Sequence, residues 1–301
     1  MRSIGKGFVS AIYLLLAILF IQGTPGKAES LDVLIKPSEL SKIMGKPGVV
    51  IVEATEADIY KKSHIPGAVV LPISKIKMSI DKEYQRQTGL ALRPEKVEEI
   101  LGSIGISNDS RVIIYDSGTE LDKGAGLAWT VFTVYGHNRA QILSGGKKRW
   151  EEERRPLTAD APVIKPSVFK ANPRNELVVT ADWLLKNLKR DINILDARLP
   201  DEYTGESSMG HIPGAKLLEW HDLQDPKETF KSPKEVAGIL NKKGVTKDKE
   251  TITYCNWGPK AAFLFSAMKS LGYNVRIYWG GIDEWSSDQS LPIIDESAGK
   301  K

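Results

Sequence analysis

The chain of 301 residues contains one cysteine and four histidines. A single cysteine excludes an intrachain disulfide, a Cys-rich zinc site, an iron–sulfur cluster held by the chain's own thiolates, and covalent c-type haem. No two histidines stand at helical ligand spacing, so no metal is expected. Charge of one sign is in small excess only: 42 Lys and Arg against 38 Asp and Glu give a formal +4. There is no dense basic tract, and nucleic-acid binding is not expected. The mixed run Glu151-Glu-Glu-Arg-Arg155 reads as a solvated helix face, and the weak positive balance suits small anions.

Long hydrophobic runs are also missing, except near the start. Arg2 and Lys6 precede an apolar stretch of about fourteen residues (8–21), close to a signal h-region, and Gly26-Lys-Ala28 places small residues where a signal peptidase reads. Residues 1–28 are therefore expected to be a signal peptide, with the mature chain exported, in a bacterial periplasm. The run is short for a membrane span of about 20 residues, so membrane association is expected only if the signal stays uncleaved. In an exported protein, structural cysteines come in pairs, so a lone one marks a reactive thiol or an intermolecular bridge.

That cysteine is Cys255, between a β-branched and aromatic run (251–254) that reads as a buried strand and a helical stretch at 261–269. At such a junction, loop amides and the positive helix end favour an anion, so a lowered thiol pKa and a more nucleophilic sulfur are expected. The competing reading is a small inert core residue.

About 270 residues remain after the signal, enough for two ordinary domains, and the chain repeats itself once. His64-Ile-Pro-Gly-Ala68 recurs as His211-Ile-Pro-Gly-Ala215. Ser144-Gly-Gly-Lys-Lys-Arg-Trp150 recurs in outline as Trp279-Gly-Gly-Ile-Asp-Glu-Trp285, and Tyr135-Gly-His-Asn138 resembles Leu271-Gly-Tyr-Asn274. Strand-like runs at 49–53, 111–115, 192–196 and 251–254 alternate with helical stretches such as 94–104 and 233–243. Each half is expected to be an α/β unit with a mainly parallel sheet flanked by helices. The expected division is 29–157, a linker at 158–175, and 176–301. Matching the copies sets Asp116 where Cys255 stands. The first copy should thus be catalytically silent, packing against the second and walling one side of the site.

Leu195-Asp-Ala-Arg198 with Glu202-Tyr203, then Gly210-His-Ile-Pro-Gly-Ala215, then strand–Cys255–loop–helix, then Gly280-Gly281 and Trp285, together resemble the tandem-domain rhodanese family of thiosulfate and 3-mercaptopyruvate sulfurtransferases. The likeness spans nearly all of residues 31–295. It implies that Cys255 attacks the sulfane sulfur of a small anionic donor, becomes a persulfide, and passes the sulfur to cyanide or a thiol, with no cofactor. Loop amides from Asn256 to Lys260, Pro259 apart, are candidates for an anion cradle. The resemblance also makes Arg198 a donor-binding residue, against a structural ion pair with Glu202 or Asp201. Lys260 offers a second positive charge, or is merely solvated. Asn256, Trp257 and Gly258 complete the substrate-binding set; Trp257 narrows the pocket, stacks on the donor, or only packs the loop. His64 and His211, present in both copies, read as structural, and Trp150 and Trp285 as core. The neutral loop Cys-Gly-Ser/Thr-Gly-Val-Thr usual in mercaptopyruvate members is absent, and Lys260 favours thiosulfate. A cysteine phosphatase would carry Arg six positions after the nucleophile; Ala261 stands there. The remaining alternative is a non-enzymatic persulfide carrier or sensor for an exported partner protein.

Overall fold

The structure is a computed structural model that describes residues 32–117, 124–225, 227 and 229–298. The expected signal peptide and part of the loop after Asp116 lie outside the described residues. The N-terminal lobe comprises β1 (Leu34–Ile35), α1 (Pro37–Ile43), β2 (Val49–Glu53), α2 (Ala57–Lys62), β3 (Ala68–Val70), α3 (Ile73–Met78), α4 (Lys82–Thr88), α5 (Pro94–Ser103), β4 (Arg111–Tyr115), α6 (Gly124–Val134), β5 (Ala140–Leu143) and α7 (Gly146–Glu152). The C-terminal lobe comprises α8 (Ala181–Asn187), β6 (Asn193–Asp196), α9 (Pro200–Thr204), β7 (Ala215–Leu217), α10 (Pro233–Lys242), β8 (Thr251–Tyr254), α11 (Pro259–Ser270), β9 (Val275–Ile277) and α12 (Gly281–Trp285).

Each lobe holds one parallel sheet, ordered β1-β5-β4-β2-β3 and β7-β6-β8-β9. Val178 adds a parallel bridge to Ile277, on the edge that β1 occupies in the first sheet. Both faces of a sheet covered by helices require strands buried on both sides. β8, Thr-Ile-Thr-Tyr, is accordingly buried at all four positions. The expected α/β architecture is thus the observed one, with strand and helix bounds within a residue or two of the sequence pattern.

Residues 158–174 carry neither helix nor named strand, yet they are fastened to the N-terminal lobe. Ser167 N donates to Gly102 O and Asn172 N to Tyr135 O, and Phe169 is buried.

The lobes meet through equivalent helices, α6 and α11, which are buried around nearly their whole circumference. A helix apolar on every side belongs inside a core. Close approach is made possible by Gly126, where a Cβ would lie 3.2 Å from Phe263 Cα. Thr130 Oγ1 donates across the contact to Ala262 O at 3.3 Å, and Trp129 tilts against Phe265 with ring centroids 6.4 Å apart. One hydrophobic cluster therefore runs from Val52 and Ile114 through Ala128 and Phe265 to Val275.

Candidate active site

β8 is a central strand of its sheet, and Cys255 follows its carboxyl end, where parallel α/β sheets present their ligand sites. The loop then turns into α11 through Gly258 and Pro259. Gly258 has φ 132°, and a Cβ on it would come 2.6 Å from Trp279 Cε3, so only glycine fits. Pro259 takes the first helical turn, where its missing N–H leaves no bond unmade. From behind, the Gly280-Gly281 turn braces the loop. Ile282 N donates to Cys255 O (2.8 Å) and Asp283 N to Asn256 O (3.2 Å). Gly281, at φ 57°, has room for no side chain, because a Cβ would lie 2.2 Å from Cys255 O.

The sulfur sits in an amide cradle at this turn, shifted toward the helix from the expected one, with Ala261 joining it in addition to the loop amides. Gly258 N donates to Cys255 Sγ at 3.1 Å, and the amides of Ala261, Trp257 and Lys260 also face it. The expected lowering of the thiol pKa is nevertheless not found. Burial pushes the Cys255 thiol up, and the four amides pull it down without offsetting that. Amides and helix end favour the thiolate, but the surrounding core outweighs them and leaves Cys255 only 1 % exposed.

Arg198 also departs from its expected place. It is 0 % exposed, with Nε and Nη2 on the Asp196 carboxylate (3.0 and 2.7 Å) and Nη2 on Gly210 O (2.6 Å). Nη1 lies 3.3 Å from Ser208 Oγ. Burial opposes its charge, yet Asp196 carries the guanidinium pKa above the ordinary value. Four of the five N–H donors are spent inside the lobe, so Arg198 is structural in this geometry. Its partner is Asp196, neither Asp201 nor Glu202.

Lys260 is likewise engaged. Its Nζ donates to Glu202 Oε2 at 2.6 Å, while Asn256 Nδ2 donates to Glu202 Oε1 at 2.8 Å. Leu199 N completes the set at 2.9 Å. Burial pushes the Glu202 carboxyl up, but the bonds from Lys260, Leu199 and Asn256 bring it below its ordinary value. Glu202 thus clamps both ends of the Cys255 loop, a role the sequence reading did not give it. The lone lysine in the loop, needing a counter-charge, was the available signal.

Trp257 and Trp279 form one wall of a cleft of about 340 Å³ between the lobes, completed by Gly280, Asp283 and Glu284 on one side and Lys77, Lys82 and Arg86 on the other. Cys255 lies behind this wall, not on it. His64 and His211 stack on Tyr60 and Tyr203 (centroids 3.9 and 3.8 Å apart) and bond through Nδ1 to those tyrosines' carbonyls. Trp150 and Trp285 are fully buried, each donating to a proline carbonyl, Pro156 and Pro292. Among the described residues no cluster of His, Cys, Asp or Glu is arranged to hold a metal ion, and no helix is long and apolar enough to cross a membrane.

The first lobe repeats the scaffold without the thiol. Lys147 N donates to Asp116 O and Lys148 N to Ser117 O, matching the Ile282 and Asp283 bonds. Asp116 Oδ2 accepts from Ala125 N at 3.0 Å at the start of α6. A carboxylate there occupies the place of the sulfur.

Two parallel α/β lobes, one presenting a cradled thiol after its central strand, define a duplicated thiol-transfer architecture. Residues 36–153 and 180–288 each match the rhodanese-like domain family, and the chain belongs to that family as a sulfurtransferase. It is 31 % identical over 274 residues to a thiosulfate sulfurtransferase of Azotobacter vinelandii, covering 88 % of this chain and 97 % of that protein. It is 29 % identical to a sulfur carrier protein of Thermus thermophilus, covering 87 % of this chain and 96 % of that protein. Among solved structures, the 3-mercaptopyruvate sulfotransferase SseA of Escherichia coli superposes with a TM-score of 0.73 at 26 % identity, covering 83 % of this chain and 99 % of that one.

Proposed function

We propose that the protein moves a sulfane sulfur from thiosulfate through a Cys255 persulfide to cyanide or a thiol, and does so outside the cytoplasm. The observation that carries this is the position of the chain's one thiol, in an amide cradle at the carboxyl end of a central parallel strand. The Cys255 sulfur, once deprotonated, attacks the outer sulfur of thiosulfate. An S–S bond forms on the enzyme as the donor's S–S bond breaks, and its electron pair leaves with sulfite. Cyanide then attacks the outer persulfide sulfur, and thiocyanate departs with the thiolate restored. The cradle amides stabilise negative charge on either sulfur and need no reorganisation.

Thiosulfate is preferred over 3-mercaptopyruvate because the Azotobacter vinelandii relative is a thiosulfate enzyme; the Lys260 charge, paired with Glu202, does not add to that preference. The Thermus thermophilus relative supports a second reading, a persulfide carrier serving one protein partner. Export rests on the basic, apolar and small-residue pattern of residues 1–28.

Incubation with thiosulfate should add about 32 Da, one sulfur atom, to intact wild-type protein and nothing to Cys255→Ser. Absence of that species in the wild type would refute the persulfide route. Multiple turnover with free cyanide marks the enzyme; discharge only to a protein thiol marks the carrier.

A further inference from the structure

The two cations expected from the sequence to meet the donor are both neutralised: Arg198 by Asp196, and Lys260 by Glu202. The C-terminal wall of the cleft offers carboxylates instead, Asp283 and Glu284. An anion entering there is repelled from that wall and drawn to the opposite one, where α3 and α4 of the N-terminal lobe present Lys77, Lys82 and Arg86. Among the described residues none of the three makes a close ion pair; Lys77 and Lys82 act only at longer range on Asp283, and Arg86 on Glu284. Only Lys77 is also tied to the catalytic loop, its Nζ lying 5.0 Å from the centroid of the Trp257 ring. Trp257 is two residues from Cys255 and lines the cleft.

We propose that Lys77, in the lobe that has no cysteine, is the residue that binds the anionic end of the sulfur donor on its way to Cys255. The ammonium's contact with the Trp257 face is weak at an exposed site and gives way to a charged ligand, which is held beside an indole two residues from Cys255. The first copy of the fold thereby contributes a substrate-binding side chain as well as a wall. The inference builds on the sulfurtransferase reading, but its deciding test, alkylation, needs no sulfur transfer.

Cys255 is the chain's only cysteine, so alkylation reports on it alone. Rates with anionic iodoacetate and neutral iodoacetamide are measured side by side. Lys77→Ala should lower the iodoacetate rate relative to iodoacetamide by about tenfold, the scale of one charge–charge contact in a cleft. It should raise the KM for thiosulfate similarly with kcat little changed, and Lys77→Arg should restore both. Lys75→Ala removes a charge from the same helix outside the cleft and should change neither. An unchanged reagent ratio in Lys77→Ala, an equal shift in Lys75→Ala, or resistance of wild-type Cys255 to both reagents would each overturn the proposal. A wild type that never forms a persulfide defeats the sulfurtransferase mechanism alone, since the alkylation ratio still reads the cleft.

Discussion

In the N-terminal lobe the buried carboxylate ending β2, Glu53, takes its positive charge from Lys147, 94 residues further on. In the C-terminal lobe the carboxylate ending β6, Asp196, takes it from Arg198, two residues on. The surroundings match. Tyr115 donates to Glu53 and receives Ile65 N; Tyr254 bonds Asp196 and receives Ile212 N. Lys147 Nζ reaches Ser63 O and Arg198 Nη2 reaches Gly210 O, in each lobe the carbonyl just before the His-Ile-Pro-Gly-Ala histidine. Where the second lobe has Arg198 the first has Thr55, and where the first has Lys147 the second has Ile282. The buried carboxylate and that carbonyl demand a cation, and the chain position that supplies it is free to change. An Asp-x-Arg motif is therefore explained without a substrate, because the lobe without a nucleophile keeps the same latch.

The sharpest separation of the lobes is at the sulfur. Cys255→Ser should abolish turnover of thiosulfate and cyanide, whereas Asp116→Asn at the equivalent position should leave it within about twofold, since a capping change costs roughly 1 kcal/mol of stability. A comparable loss in both would end the division of labour. The latch comes next. Arg198→Ala and Lys147→Ala should each lower unfolding free energy by about 3–5 kcal/mol, the cost of stranding a buried carboxylate, read from urea midpoints. If Arg198→Ala instead raised donor KM at unchanged stability, the parallel would break and Arg198 would face the donor. Glu202→Gln weakens the charged clamp on the Cys255 loop, and a lost charge-assisted bond predicts about a tenfold fall in kcat with secondary structure intact. The smallest effect is in pH. With its pKa raised, the Cys255 thiol is mostly protonated at neutrality, so its alkylation rate by iodoacetamide should keep climbing above about pH 8.5, the ordinary thiol value. A plateau below pH 7 would mean that an ionised sulfur is already present.

Much of this was legible in the residues. Internal repetition gave the two lobes, and period and composition gave the strands and helices. Aligning the copies gave the Asp116–Cys255 equivalence, which the paired amide bonds from Lys147 and Ile282 reproduce. What escaped depended on contacts between distant segments. Glu202 reaches Lys260 across 58 positions, and nothing in a helix-start glutamate announces that partner. Arg198 read as a substrate ligand because its own lobe's interior was invisible, and the thiol read as acidic because the core covering it was too. Lys77 belongs to a different lobe from the loop it touches.

Gly126 against Phe263 has an implication for how such a chain can be divided. The helix that starts beside the reactive sulfur is walled by its counterpart, so a fragment beginning near residue 176 would leave the apolar face around Phe263 open to water and should clump. The lobe without a thiol thus gives the other a dry surface to fold against, whatever it adds to the cleft.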